Sequence, residues 1–140
     1  MANLLNISEA ANLALHTMVY LVGHGDRRVS AREVAEAYGA SEAHLAKVLQ
    51  RLGKAGLVDS ARGPKGGFVL AREPGRVTLL EVLEAVDGPM FLRDCLFAKR
   101  VCHGTKCIFG DTLKQANRAF RDHFRKTRLS AFAGENGKRG

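Results

Sequence analysis

The residues of this 140-residue chain best equipped for chemistry are its three cysteines, Cys95, Cys102 and Cys107, separated by six and then four residues. That spacing lacks the C-x2-C knuckle of common structural zinc sites. Arg93, Lys99, Arg100 and Lys106 lie among the thiols, a basic setting that suits an anionic iron-sulfur cluster or, without metal, thiol oxidation. Three sulfurs leave at least one coordination position to another group. His103 adjoins Cys102, but neighbouring side chains diverge, so a ligand arriving from elsewhere is the better candidate. At helical spacing, Asn12 and His16 fall at i and i+4 beside Glu9, away from the Leu15, Met18 and Val22 stripe. Either could complete a metal site. The alternatives are a solvated amide for Asn12 and a locally hydrogen-bonded imidazole for His16.

Composition narrows the setting in which these groups work. With 46% apolar residues the chain can bury one core without disulfide staples. No apolar run is long enough for a membrane span, and the N-terminal residues do not read as an export signal, so a cytoplasmic protein is expected. Thiols are kept reduced there, which favours metal ligands or redox sensors over structural disulfides. The net charge of +8 is distributed unevenly: −2 over residues 1–26, +5 over 27–76, −3 over 77–92, +7 over 93–128 and +1 in the tail. Two basic blocks flanking an acidic joint favour a polyanionic partner, nucleic acid before a membrane surface. Enzyme readings find little support. The glycines of "GPKGG" do not form the G-x4-G-K-[ST] phosphate loop, and a cysteine hydrolase rests only on the presence of Cys and His.

Caps and periodicity supply the elements that must position these residues. Asn6 with Glu9 predicts the start of a first helix carrying Ile7, Ala11, Ala14, Leu15, Met18, Leu21 and Val22. Ser30 with Glu33 opens a short second helix through Val34, Ala37 and Tyr38, ended by Gly39. Ser41 caps a third, in which Leu45, Val48, Leu49 and Leu52 mark the buried side. Ala43, Lys47, Gln50 and Lys54 then point outward, with His44, Ala46 and Arg51 on the flanks. Two helices in that arrangement fit a helix-turn-helix whose second member enters the DNA major groove. "LVDSA" and "FVLA" read as a β-hairpin around Arg62-Gly63-Pro64-Lys65-Gly66-Gly67, either an ordinary turn or a wing offering Arg62 and Lys65 to DNA. Thr78 caps a helix ending before Gly88-Pro89, residues 88–110 show no period, and Asp111 opens a terminal helix. There Leu113, Ala116, Phe120 and Phe124 form a seam for a second copy or for the chain's own body, opposite a basic stripe. The fold expected is mainly α with a small β-hairpin wing, a winged helix-turn-helix domain plus a long C-terminal helix.

"HLAKVLQRLGKAGLV", the wing "RGPKGGF", the "DGP" before the cysteine loop and the cysteine triad itself resemble the Rrf family of bacterial winged-helix transcriptional regulators, IscR- and NsrR-like members included, over residues 4–130. The resemblance implies a DNA-binding domain over 1–88, a cluster loop over 89–110, a dimerisation helix over 111–130 and a flexible tail over 131–140. It implies a homodimer on a palindromic double-stranded DNA operator, with no membrane and no small-molecule substrate. Ser41, Ala43, His44, Ala46, Lys47 and Arg62 match the DNA-reading positions, joined on the residue reading by Gln50 and Lys65. Ala46 stands where some relatives carry glutamate, and Gly110 where some carry a ligating histidine. The implied cofactor is a 2Fe-2S or 4Fe-4S cluster on Cys95, Cys102 and Cys107, completed by Asn12 or His16 of the other subunit. The alternative is a cluster-free, thiol-based redox-sensing regulator.

Overall fold

A computed structural model describes residues 7–134 apart from 65, 92, 98, 100, 103 and 105. Asn6, Lys65, Arg100 and His103, named above, lie outside those residues. Among the described residues, five α-helices and one hairpin follow each other as α1 (Glu9–Gly23), α2 (Ala31–Tyr38), α3 (Glu42–Lys54), β1 (Val58–Ala61), β2 (Gly67–Leu70), α4 (Leu79–Asp87) and α5 (Thr112–Lys126).

The apolar faces of α1, α3 and α4 meet in one core, where Met18, Leu45, Leu49, Leu52 and Val82 have almost no exposed surface. α2 adds Val34 and Ala35 to this core, whereas Ala37 and Tyr38, expected on the same face, are exposed. Tyr38 instead donates its hydroxyl to the His16 carbonyl at 3.0 Å and packs edge-on against the His16 ring. Among the described residues one hydroxyl is fully buried, that of Thr17, and it donates to the Leu13 carbonyl within its own helix at 2.7 Å, which removes the cost of burying it.

Helix starts follow from local chemistry. The hydroxyls of Ser30, Ser41 and Thr78 each accept the backbone N–H three residues on, from Glu33, His44 and Glu81. α1 differs from expectation, because its cap is Ser8, whose hydroxyl accepts from the Ala11 N–H. Asp111 precedes α5 but makes no side-chain cap bond.

β1 and β2 pair antiparallel with Val58 opposite Leu70 and Ala61 opposite Gly67. Val29, just before α2, joins the outer side of β2 by exchanging hydrogen bonds with Phe68 at 3.0 and 2.7 Å. That close approach needs Gly67: a Cβ there would sit 2.8 Å from the Val29 carbonyl oxygen, on a backbone with φ +141°. The hairpin is thereby fastened to the entry of the helix-turn-helix.

After α5 the chain returns to its own body. Leu79 N–H bonds the Thr127 carbonyl, Leu129 N–H bonds the Val77 carbonyl, and Leu129 is fully buried, with Phe124 and Phe132 half-buried against the same core.

α1 and α2 are also braced outside the core. Arg27, on the turn after α1, donates two hydrogen bonds to the Glu33 carboxylate at 3.0 and 2.8 Å, and the Tyr20 hydroxyl donates a third at 2.7 Å. The Arg27 guanidinium, chiefly by hydrogen bonding, lowers the Glu33 pKa to about 2. Because the folded value lies below the ordinary one, the stabilisation is present above about pH 4.5 and is lost as pH falls towards 2. The Glu33 side chain is one-third exposed, so solvent screening reduces this to about 1 kcal/mol. Thermal melts should accordingly fall more steeply between pH 5 and pH 2 for the wild-type chain than for Glu33→Gln, and equal slopes would remove the brace from the acid response.

Candidate nucleic-acid interface and thiol loop

The outward face of α3 is assembled by the burial of the opposite one. Leu45, Val48, Leu49 and Leu52 are no more than 1% exposed, and the helical turn then sets Ser41, Ala43, Lys47 and Gln50 in solvent with His44 and Ala46 partly covered. Methyl groups alternate with a cation and an amide along this face, which allows close approach to a groove floor. The Ser41 hydroxyl accepts the cap hydrogen bond through a lone pair and keeps its own proton to donate outward. Arg62 is exposed at the hairpin tip, directly after β1, and Gly56 with φ +74° turns the chain from α3 into β1. The DNA-reading residues proposed on α3 therefore share one helical face, and the hairpin carrying Arg62 is reached from its C-terminal end.

The cysteines occupy an irregular loop between α4 and α5. Cys95 is half-buried, Cys102 and Cys107 are exposed, and all three are free thiols. Among the described residues no three His, Cys, Asp or Glu side chains stand together as a ready-made metal site. The donor set itself is soft, and three thiolates match iron-sulfur chemistry far better than a hard-cation site. The loop is anchored at its start, where the buried Asn117 amide of α5 donates to the Arg93 carbonyl at 2.6 Å. Of the basic stripe expected along the terminal helix, Lys114, Arg118, Arg121 and Arg125 lie on α5 and, with Asp94, Asn117 and Asp122, line an open groove of about 490 Å³, whereas Arg128 lies beyond the helix and donates to the Gly75 carbonyl at 3.3 Å.

Asn12 and His16 both lie on the exposed side of α1. His16 Nδ1 is 2.8 Å from the Asn12 carbonyl oxygen, which can only accept, so Nδ1 donates in this contact and Nε2 is the ring nitrogen not used by it. Neither residue joins the cysteines in a group of ligands among the described residues of this chain.

Sequence reasoning did not find several contacts that hold this arrangement: the Arg27–Glu33–Tyr20 brace, the Arg51 Nη1 bond to the Val86 carbonyl at 3.3 Å, and the Ser8–Asp87 pair. Each joins residues whose separation is not a helical or hairpin interval, so local pattern carries no signal for them.

A recognition helix presented beside a β-hairpin, with a helical body behind both, is the winged helix-turn-helix of DNA-binding regulators. The sequence pattern of the Rrf2 family, described as iron-dependent transcriptional regulators, matches residues 7–135, and the chain belongs to that family. It is a transcriptional regulator and not an enzyme. An Aquifex aeolicus protein assigned as an HTH-type transcriptional regulator is 30% identical over 125 residues, covering 87% of both chains. The HTH-type transcriptional regulator NsrR of Geobacillus kaustophilus is 27% identical, over 74% of this chain and 69% of its own. Among solved structures, CymR, the global cysteine regulator of B. subtilis, superposes with a TM-score of 0.70 at 25% identity over 93% of this chain and 95% of its own.

Exposure separates the thiols chemically. Under anaerobic, metal-free conditions Cys102 and Cys107 are expected to react with a disulfide reagent at least several-fold faster than Cys95, as read by mass spectrometry of peptides; three equal rates would contradict this ordering.

Proposed function

We propose that the chain is a homodimeric regulator that reads a palindromic double-stranded DNA operator with α3 and the wing and is gated by its cysteine loop. The observation that carries the reading is the joining of two surfaces in one small body: a shallow, basic helix face behind which the core closes, and a thiol-bearing loop attached to the same core. Ser41, Ala43, His44, Ala46, Lys47 and Gln50 approach the major groove. Arg62 and Lys65 serve phosphates or the narrow minor groove, where arginine is favoured. Such a partner implies a cytoplasmic location.

Dimerisation is supported by the surface of the loop. Phe91, Leu96, Phe97, Val101, Ile108 and Phe109 are all exposed, Phe91 by 82% and Ile108 by 91%, an apolar surface that an isolated subunit has little reason to present to water. The same surface lies on the segment before α5, whose Phe120 and Phe124 rings stack at 4.3 Å and remain half-covered.

Cys95, Cys102 and Cys107 would hold a 2Fe-2S or 4Fe-4S cluster, with Asn12 or His16 of the second subunit completing its ligands; for His16 it is Nε2 that would take that role. When bound, the cluster supplies redox and nitric-oxide or iron responsiveness. The chain's own part is to turn the state of the loop into a different spacing or seating of two recognition helices. A tenfold change in operator affinity requires only about 1.4 kcal/mol of difference between states. A second reading, a thiol switch without metal, is favoured by the exposure of Cys102 and Cys107 as free thiols.

Two measurements test this. Anaerobic reconstitution with ferrous iron and sulfide is expected to yield coloured, iron-containing protein. If instead the protein stays colourless while peroxide alters operator binding, the thiol reading replaces the cluster. For DNA, a dimer touching about eight phosphates should show log affinity falling with log salt at a slope near −7. Lys47→Ala and Arg62→Ala should each weaken binding by about tenfold, and gel-shift affinities unchanged in both would remove α3 and the wing as the reading surfaces.

A further inference from the structure

Three parts of the molecule meet at the last turn of α4. On the loop side, the Met90 N–H donates to the Glu84 carboxylate at 3.2 Å, so the segment leading to the cysteines is tied to the helix it has just left. On the α1 side, the Ser8 N–H donates to the Asp87 carboxylate at 3.0 Å and the Ser8 hydroxyl donates to the same group. Asp87 is poorly placed for its own helix, whose C-terminus is the negative end of the dipole, but well placed for the positive start of α1. On the α3 side, Arg51 Nη1 donates to the Val86 carbonyl at 3.3 Å.

The Arg51 contact answers a specific deficit. The final carbonyls of a helix lack partners within it and favour a nearby cation, yet α4 has no basic residue in its last turn. The cation comes from the recognition helix. Arg51 itself is exposed and makes no ion pair with the described acidic residues, so the Val86 carbonyl is its observed attachment. One side chain thus links the DNA-reading helix to the helix end from which the cysteine loop departs, next to the pair that holds the start of α1.

We propose that Arg51 is a positioning residue that fastens α3 to the end of α4, so that a change in the cysteine loop, received through the Glu84–Met90 tether, alters how α3 is seated. The proposal rests on the reading of the loop as a sensor. It names Arg51 as the connection between sensing and reading, and it distinguishes that role from a simple phosphate contact, the other use open to an exposed arginine on α3.

The test uses the full chain and an operator selected by it from a random DNA pool. Affinity is measured after anaerobic loading with ferrous iron and sulfide, after chelation under reducing conditions, and after peroxide treatment. The wild-type chain is expected to differ at least about tenfold between two of these preparations. In Arg51→Ala that ratio should shrink to about twofold or less, with the thermal midpoint and the salt slope of the tighter state close to wild type. Arg51→Lys should recover part of the ratio. Glu84→Ala, which releases the loop from the other side, should shrink it likewise, and the double variant should go no further than the singles. An undiminished ratio in Arg51→Ala overturns the proposal. So does an equal loss of affinity in every preparation with a salt slope shallower by about 1.8, about 0.9 for the Arg51 of each subunit, which identifies a phosphate contact. If Arg51→Ala does not fold, Glu84→Ala carries the comparison, and an undiminished ratio there overturns the proposal too. A wild-type chain with one affinity in all three preparations removes the sensor reading, and the coupling falls with it before any variant is compared.

Discussion

The interaction on which everything else depends is the burial of four aliphatic side chains on one side of α3. Leu45, Val48, Leu49 and Leu52 surrender essentially all their surface to the core, and a helix of fixed pitch then has no freedom over where its remaining residues go. Rotating α3 by even one residue position would drive Lys47 or Gln50 into the interior and bring a leucine out. The orientation of the face proposed to read DNA is thus enforced by hydrophobic burial behind it, and the polar residues in front can vary without endangering the fold.

The placement of the hairpin is fixed by a different means. Main-chain hydrogen bonds between Val29 and Phe68 clip the hairpin to the segment that enters α2, and the missing side chain at Gly67 is what lets the two backbones approach. Since α2 packs on α3, the wing and the recognition helix are referenced to the same small body. The Arg27, Glu33 and Tyr20 side chains add a polar brace across the turn between α1 and α2. The outward face of α3 and the hairpin are therefore both tied to one body.

The sequence reveals most where structure is local. Ser30, Ser41 and Thr78 announce their helices because a hydroxyl three residues before an amide is a self-contained geometry, and the α3 stripe is readable because one period governs both its faces. α1 shows where this stops. Asn6 and Ser8 are both capable caps, and Glu9 lies at the right interval to support the earlier one, but Ser8 also meets Asp87, which is 79 residues away in sequence. At α5, Asp111 has the right residue type, yet its ψ of 4° is not the extended backbone that aims a cap side chain at the first amides. The same limit applies to the functional residues. The exposed face of α3 followed from periodicity, whereas the thiols could be named but not arranged, since residues 88–110 form no repeating element. Contacts such as Arg51 with Val86 join elements whose relative placement only the folded chain supplies.

The return of the chain after α5 carries a consequence for how such a protein can change over evolutionary time. With Thr127 and Leu129 hydrogen-bonded to Leu79 and Val77 at the entry of α4, and Leu129 sealed in the interior, the cysteine loop is part of a closed excursion whose two feet stand on the same foundation. Lengthening such an excursion costs little, because closure entropy grows only with the logarithm of its size. Its interior can be rewritten, one set of reactive groups exchanged for another, while the body that reads DNA keeps its shape: the fold behaves as a fixed chassis with an interchangeable cassette.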